Sequence, residues 1–129
     1  MRIAGIGLVL LLAACGPASG GEARVYELVA KNDSGVTGTV TLTPLADDRT
    51  TVVVDVDPAG HPDMPGHIHP GTCAEPVPQP KYPLENIRDG ASTTEVPVSL
   101  DDLLADTVSI NLHHSNDHME ISTACVDLD

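Results

Sequence analysis

The sequence of 129 residues contains no tryptophan and no phenylalanine, and it has only two tyrosines. It therefore lacks the aromatic platforms on which the bases of single-stranded nucleic acids stack. Basic side chains are also scarce, since six lysines and arginines stand against 19 aspartates and glutamates, a formal net charge of −13. So acidic a chain repels phosphate backbones, and we exclude nucleic acid as a partner. The core must be built from aliphatic side chains.

Beyond residue 15 the chain has no apolar run long enough to span a bilayer, and the run at its start is itself too short. Met1-Arg2 followed by apolar residues 3–14 predicts a signal peptide over residues 1–14. The sequence Leu12-Ala13-Ala14-Cys15 resembles a bacterial lipobox, which predicts lipidation of Cys15 and a membrane anchor. The alternative is an ordinary secretory signal that ends at an unrelated cysteine. We expect an exported protein anchored to the cell membrane or outer membrane, with its domain in the periplasm or outside the cell.

Two cysteines remain after Cys15, namely Cys73 and Cys125. An even pair in an oxidising compartment predicts one structural disulfide, and two free thiols are the alternative. A bond that closes a loop of about fifty residues contributes on the order of 4 kcal/mol in the chain-entropy account. That contribution is large for a domain of about a hundred residues.

Small and turn-forming residues at 15–23 predict a flexible tether, followed by one β domain over 24–129. Within that domain, alternating and β-branched segments separated by turns predict seven short strands. They cover residues 24–31, 36–45, 50–56, 67–69, 93–98, 107–113 and 121–126. Residues 99–102 have the pattern of a capped turn, and residues 70–92 that of a long irregular connection. The expected fold class is all-β, a Greek-key β-sandwich or flattened barrel.

All six histidines fall in two stretches of the chain, at 61–69 and 113–118. Residues two apart on a strand share a face, so His67 and His69 point to one side while Ile68 points to the core. On the later strand, Ile110 and Leu112 fill the core, which puts His113 on the outer face. Three imidazoles that meet on a sheet surface would bind copper or zinc, with copper favoured by the divalent stability order.

Other interpretations of these histidines stay open. Paired histidines also occur on solvated strand faces, and sequence cannot show that the two stretches lie near one another. Four further residues are additional candidate ligands: His61, Met64, His114 and His118. A buried loop anchor is the alternative for Met64, a solvated loop is the alternative for His114 and His118, and we expect Met119 to pack against the core.

The segment Gly66-His67-Ile68-His69-Pro70-Gly71-Thr72-Cys73 resembles the Cu/Zn superoxide dismutases, in which a pair of copper-binding histidines precedes the disulfide cysteine. Downstream, the segments 110–113 and 124–125 resemble the strand with that family's last copper histidine and its closing alanine-cysteine pair. The resemblance spans about 25–129. It implies a dismutase-like fold, one copper ion bound by His67, His69 and His113, and a Cys73–Cys125 bridge.

Two departures from that family bear on activity. No histidine lies between Cys73 and Ser99, so the family's metal-bridging histidine and zinc ligands have no counterparts, and no zinc is expected. Ser122 and Thr123 occupy the neighbourhood of the family's catalytic arginine, and the acidic chain does not attract an anionic substrate. Whether the protein is an enzyme is therefore left undecided, and no catalytic residue is assigned.

The sequence supports three functional hypotheses. The first is a copper-binding lipoprotein of the bacterial cell envelope that either buffers copper or reacts slowly with superoxide. The second is a true copper-only superoxide dismutase. The third is a metal-free structural or interaction domain on the same fold, since folds are reused without their chemistry.

Overall fold

A computed structural model describes residues 21–129. The predicted signal peptide at 1–14, the lipidation site Cys15 and most of the predicted tether lie outside the described residues. Within the described residues no helix has the length and apolar character needed to cross a membrane.

Over residues 21–129 the fold consists of ten strands and one short helix, so the prediction of an all-β protein is confirmed. The strands pair antiparallel throughout, in the order β4-β7-β8-β3-β2-β1-β10-β9-β5-β6. The elements are β1 (Arg24–Ala30), β2 (Thr37–Leu45), β3 (Arg49–Asp57), β4 (Asp63–Met64), β5 (Gly66–Pro70), β6 (Tyr82–Pro83), β7 (Ile87–Arg88), β8 (Ala91–Val96), α1 (Leu100–Ala105), β9 (Val108–His113) and β10 (Ser122–Leu128).

The sheet curls into a half-barrel, consistent with the expected flattened barrel. Strands β1, β2 and β3 follow one another as hairpins, and the last strand, β10, returns to pair with β1. A strand that returns beside the first of three sequential strands is the Greek-key arrangement. This return also places β9 and β5 next to β10, so the two histidine-bearing strands become neighbours.

The core consists of aliphatic side chains from the inner face of the curled sheet. On β2 and β3 the buried residues alternate with partly exposed ones, as strand geometry requires. Ile68, Ile110 and Leu112 are fully buried, which confirms the inward face predicted for β5 and β9. The burial of these three side chains sets the orientation of β5 and β9. Residues at the alternate positions of both strands therefore lie on the outer face of the sheet.

The long connection after β5 is less irregular than expected, because it includes the two-residue strands β6 and β7. It also supplies Leu84 and Ile87 to the core. The predicted capped turn extends into α1, in which the Ser99 hydroxyl accepts a hydrogen bond from the Asp102 backbone N–H at 3.1 Å. Such a cap satisfies one of the free N–H groups at a helix start.

Cys73 and Cys125 form a disulfide, which confirms the predicted bridge. It joins the connection after β5 to strand β10, and the Cys73 backbone N–H donates to the Asp127 carboxylate at 2.7 Å. The same connection is hydrogen-bonded to β5, since the Val77 N–H donates to the Pro70 carbonyl and the Lys81 N–H to the Ile68 carbonyl. The segment 71–81 is therefore attached to the sheet at both ends and in its middle.

We expect the double substitution Cys73→Ser/Cys125→Ser to lower the free energy of unfolding by about 4 kcal/mol, because it removes a crosslink across 52 residues of chain. Urea denaturation followed by circular dichroism measures the change. Cys15→Ser is the control and should leave the denaturation midpoint unaltered. An unchanged midpoint in the double variant would contradict a stabilising role for the bridge.

Candidate metal centre

The candidate metal centre lies on the outer face of strands β5 and β9. In the antiparallel register, His67 is opposite Asn111 and His69 is opposite Ser109. Residues directly opposite on paired strands share a face, and His113 lies two residues beyond Asn111 on that face. The sheet therefore brings together two histidines from one stretch of sequence and one from the other.

The three imidazole rings lie close together. Ring centroids are 5.0 Å apart for His67 and His113, 5.5 Å for His67 and His69, and 5.8 Å for His69 and His113. One ring nitrogen from each residue lies within 4.8 Å of the other two. Ligand nitrogens bound to one zinc-sized ion at about 2.0 Å are separated by roughly 3.4 Å, so small side-chain rotations complete the site. The three histidines are thus close enough to bind one metal ion.

This outer face is covered rather than solvated. His69 and His113 are only 6% and 7% exposed, and Ser109 is 1% exposed. The disulfide-linked segment 71–81 lies over this face, with Pro78 and Pro80 lining the pocket that holds the three rings. Burial removes the water that would otherwise solvate the imidazole nitrogens.

A backbone hydrogen bond from the covering segment orients His69. The Nδ1 atom of His69 lies 3.0 Å from the Val77 carbonyl oxygen. Because a carbonyl can only accept, Nδ1 carries the proton and donates it, which leaves the lone pair on Nε2. A bond of this kind to the second nitrogen of a metal-binding histidine fixes both its tautomer and its ring orientation.

Several buried nitrogens of these rings have no hydrogen-bond partner within the described residues. They are Nδ1 of His67, Nε2 of His69 and both ring nitrogens of His113. Buried polar atoms are almost always paired, so such a concentration of unpaired nitrogens demands a partner. A metal ion bound by one nitrogen from each ring would supply a partner to three of these four atoms.

The electrostatics of the pocket favour neutral imidazoles. Burial, followed by the neighbouring His67, lowers the pKa of His113 from 6.5 to about 4. The backbone of Met119 lies near enough to the His113 ring to favour its charged form slightly, although neither ring nitrogen makes a hydrogen bond of good geometry. Burial and the proximity of His69 also lower the pKa of His67. Neutral imidazole is the form that binds metal.

The other candidate ligands lie elsewhere. Met64 is fully buried in the core, where its sulfur accepts a hydrogen bond from the Thr123 hydroxyl at 3.3 Å. His114 contacts both His61 and His118, and within residues 21–129 these three rings make no contact with the three-histidine centre. The structure therefore places none of the four additional candidates in the pocket of the centre.

Met119 was not predicted to be part of the metal centre. The expectation that it packs against the core is wrong, since its side chain is 49% exposed and lines the pocket beside the three histidines. Three groups of the covering segment were also not predicted as part of the centre: Pro78, Pro80 and the Val77 carbonyl. The sequence of a proline-rich connection does not indicate which strand the connection covers. For Met119 the only available signal was its position six residues after His113 in a short loop.

Within the described part of the chain, no arginine lines the pocket of the centre. Arg49 pairs with Glu95, Arg88 lies 3.9 Å from the Asp63 carboxylate, and Arg24 donates to the Asp129 carbonyl. Thr123, in the neighbourhood where the resemblance implies an arginine, is buried. The pocket therefore offers neutral donors rather than a positive charge.

Fold and site together define the class of protein: a small all-β domain with an internal disulfide and a buried centre of three histidines that can bind a metal ion. The sequence matches no protein-family model, and comparisons with the curated proteins and with the solved structures gave no match either. The function must therefore be inferred from the donor atoms of the centre and from the groups that surround them.

We expect the metal-free domain to lose stability as the pH falls from about 6.5 towards 4. The folded-state pKa of His113 is about 4 and its ordinary value is 6.5, so the unfolded chain binds a proton in this window that the folded chain does not. The variant His113→Gln should show a smaller loss over the same window, measured by urea denaturation at a series of pH values. Ser109→Ala, on the same face but without a titrating group, is the control. Equal slopes for wild type and His113→Gln would contradict the assignment.

Proposed function

We propose that this protein binds one copper ion through His67, His69 and His113 and handles copper in the bacterial cell envelope. The observation that carries the proposal is the set of buried imidazole nitrogens without partners that face one pocket. Three neutral nitrogen donors bind divalent copper more strongly than the other divalent first-row metals.

The thioether of Met119 favours copper over zinc. It lines the same pocket as the three imidazoles, and its backbone lies beside His113. Thioether sulfur is a soft donor that suits Cu(I), whereas zinc sites are built from thiolate, imidazole and carboxylate ligands. A site with three imidazoles and an adjacent thioether can serve both oxidation states of copper. We therefore propose Met119 as a fourth ligand, used when copper is reduced.

A relationship to the Cu/Zn superoxide dismutases is part of the proposal. Its support is the order His67, His69, Cys73, His113, Cys125 along the chain, together with the bridge and the histidine cluster that these residues form. Bound copper would supply one-electron transfer between its two oxidation states.

The surroundings of the site argue for holding copper rather than for rapid turnover of superoxide. Superoxide is an anion, the chain has a net charge of −13, and no arginine lines the pocket in the described residues. Without a positive field, electrostatic attraction does not accelerate the arrival of an anionic substrate. A reaction with superoxide at this centre would therefore be slow.

The proposed location at a membrane rests on residues 1–15. A short positive start, an apolar run and the Leu12-Ala13-Ala14-Cys15 sequence support export and lipid attachment. An oxidising compartment agrees with the disulfide. Lipid chains on Cys15 would hold the copper site at the membrane surface.

The double substitution His67→Gln/His69→Gln should abolish tight copper binding, because it leaves one imidazole of three. Copper content after equilibrium dialysis gives the loss, and electron paramagnetic resonance of the Cu(II) form gives the nitrogen count. Ser109→Ala is the matched control, since Ser109 lies opposite His69 on the same face and the substitution removes no imidazole. A double variant that keeps the wild-type spectrum and stoichiometry would refute the proposal.

We expect Met119→Leu to weaken Cu(I) binding by about tenfold, equivalent to about 1.4 kcal/mol, and to leave Cu(II) binding nearly unchanged. Leucine keeps the size of the side chain and removes the sulfur. Competition with a chromophoric Cu(I) chelator measures the first affinity, and competition with glycine measures the second. Ile121→Leu, on the same loop, controls for changes in loop packing. Equal Cu(I) affinities for Met119→Leu and wild type would exclude the sulfur as a ligand.

A further inference from the structure

The three histidines outside the buried centre form a group of their own. The rings of His61 and His114 are 5.0 Å apart between centroids, and those of His114 and His118 are 5.6 Å apart. These separations match the 5.0–5.8 Å found among the rings of the buried centre. His114 lies in the middle, with one imidazole on each side of it.

The backbone holds this group in place from two loops. His114 follows directly after β9, and its N–H donates to the Ile121 carbonyl at 2.9 Å, which closes the loop that carries His118. His61 belongs to the loop before β4, where its N–H donates to the Pro58 carbonyl at 2.8 Å. The Asn86 side-chain amide links the loops by donating to Asp63 at 2.9 Å and to Asn116 at 3.3 Å.

The chemistry around the group suits a cation. His61 and His114 line a surface groove together with the carboxylate residues Asp63 and Asp117. The Nδ1 atom of His118 lies 3.2 Å from the Glu120 carboxylate, which can only accept when ionised. That contact assigns the proton to Nδ1 and leaves Nε2 free to bind, the arrangement in which a carboxylate orients a metal-binding histidine.

We propose that His61, His114 and His118 form a second metal site, on the surface, that takes a divalent transition-metal ion. Imidazole donors suit copper, zinc and nickel, and the nearby carboxylates add attraction for a positive ion. The rings of His61 and His118 make no contact with each other in the described structure, so the exposed His118 ring turns towards the groove when the ion binds. This rearrangement and the exposure to water make the surface site weaker than the buried centre.

Copper stoichiometry tests this proposal independently of the buried centre. Cu(II) alone is the probe, in glycine buffer, and every protein is the full-length chain with Cys15→Ser to remove a competing thiol. Isothermal titration should give two equivalents for the parent chain, and one for His61→Gln/His114→Gln. It should also give one for His67→Gln/His69→Gln and none for the variant with all four substitutions. Circular dichroism checks that each variant is folded.

The outcomes of this titration separate the two proposals. A stoichiometry that is the same in His61→Gln/His114→Gln as in the parent chain would overturn the surface site. If instead His61→Gln/His114→Gln loses an equivalent while His67→Gln/His69→Gln loses none, the surface site stands and the proposed buried centre fails. The affinity of the second equivalent should fall at least tenfold in His118→Gln, because one of three donors is lost.

Discussion

The three-histidine centre depends on one constraint, which is that segment 71–81 covers the outer face of β5 and β9. The disulfide attaches this segment to β10, and the backbone bond from the Val77 N–H attaches it to β5. With that attachment, His69 and His113 are shielded from water although they lie on the outside of the sheet. Without it, the three imidazoles would be an ordinary solvated patch, with ring nitrogens hydrogen-bonded to water.

The two groups of histidines show how burial changes the chemistry of one residue type at similar ring spacing. In the covered group, desolvation is the main cause of the lowered pKa values of His67 and His113, so both rings stay neutral and ready to bind. In the surface group, His118 is exposed and its Nδ1 contacts the Glu120 carboxylate. We infer a tight, rigid site in the first place and a weaker, adaptable one in the second.

The overall charge acts on both sites in the same direction. A net charge of −13 concentrates cations near the surface and disfavours anions. The charge therefore favours the metal ions that we propose as ligands, while an anionic substrate receives no electrostatic help. This contrast is why the proposed function is centred on holding copper and not on turning over superoxide.

Local patterns in the sequence were sufficient for much of the fold. The alternation around Ile68, Ile110 and Leu112 determined which side chains face inward, and hence that His67, His69 and His113 share the opposite face. The even pair of cysteines after Cys15 was sufficient to predict the bridge. The facing of the side chains follows from the two-residue period of a strand, which is a local property of the sequence.

What the tertiary structure alone decided concerns contacts between segments far apart in the chain. Pairing of β5 with β9 joined two distant histidine stretches, and the proline-rich segment covers them, so the outer face predicted from alternation is a pocket. The structure also decided the places of Met64, in the core, and Met119, at the pocket. Neither the two-residue strand β4 nor a loop has enough periodicity from which a direction can be predicted. Strand period is a property of a few consecutive residues, whereas burial depends on what another segment places on top.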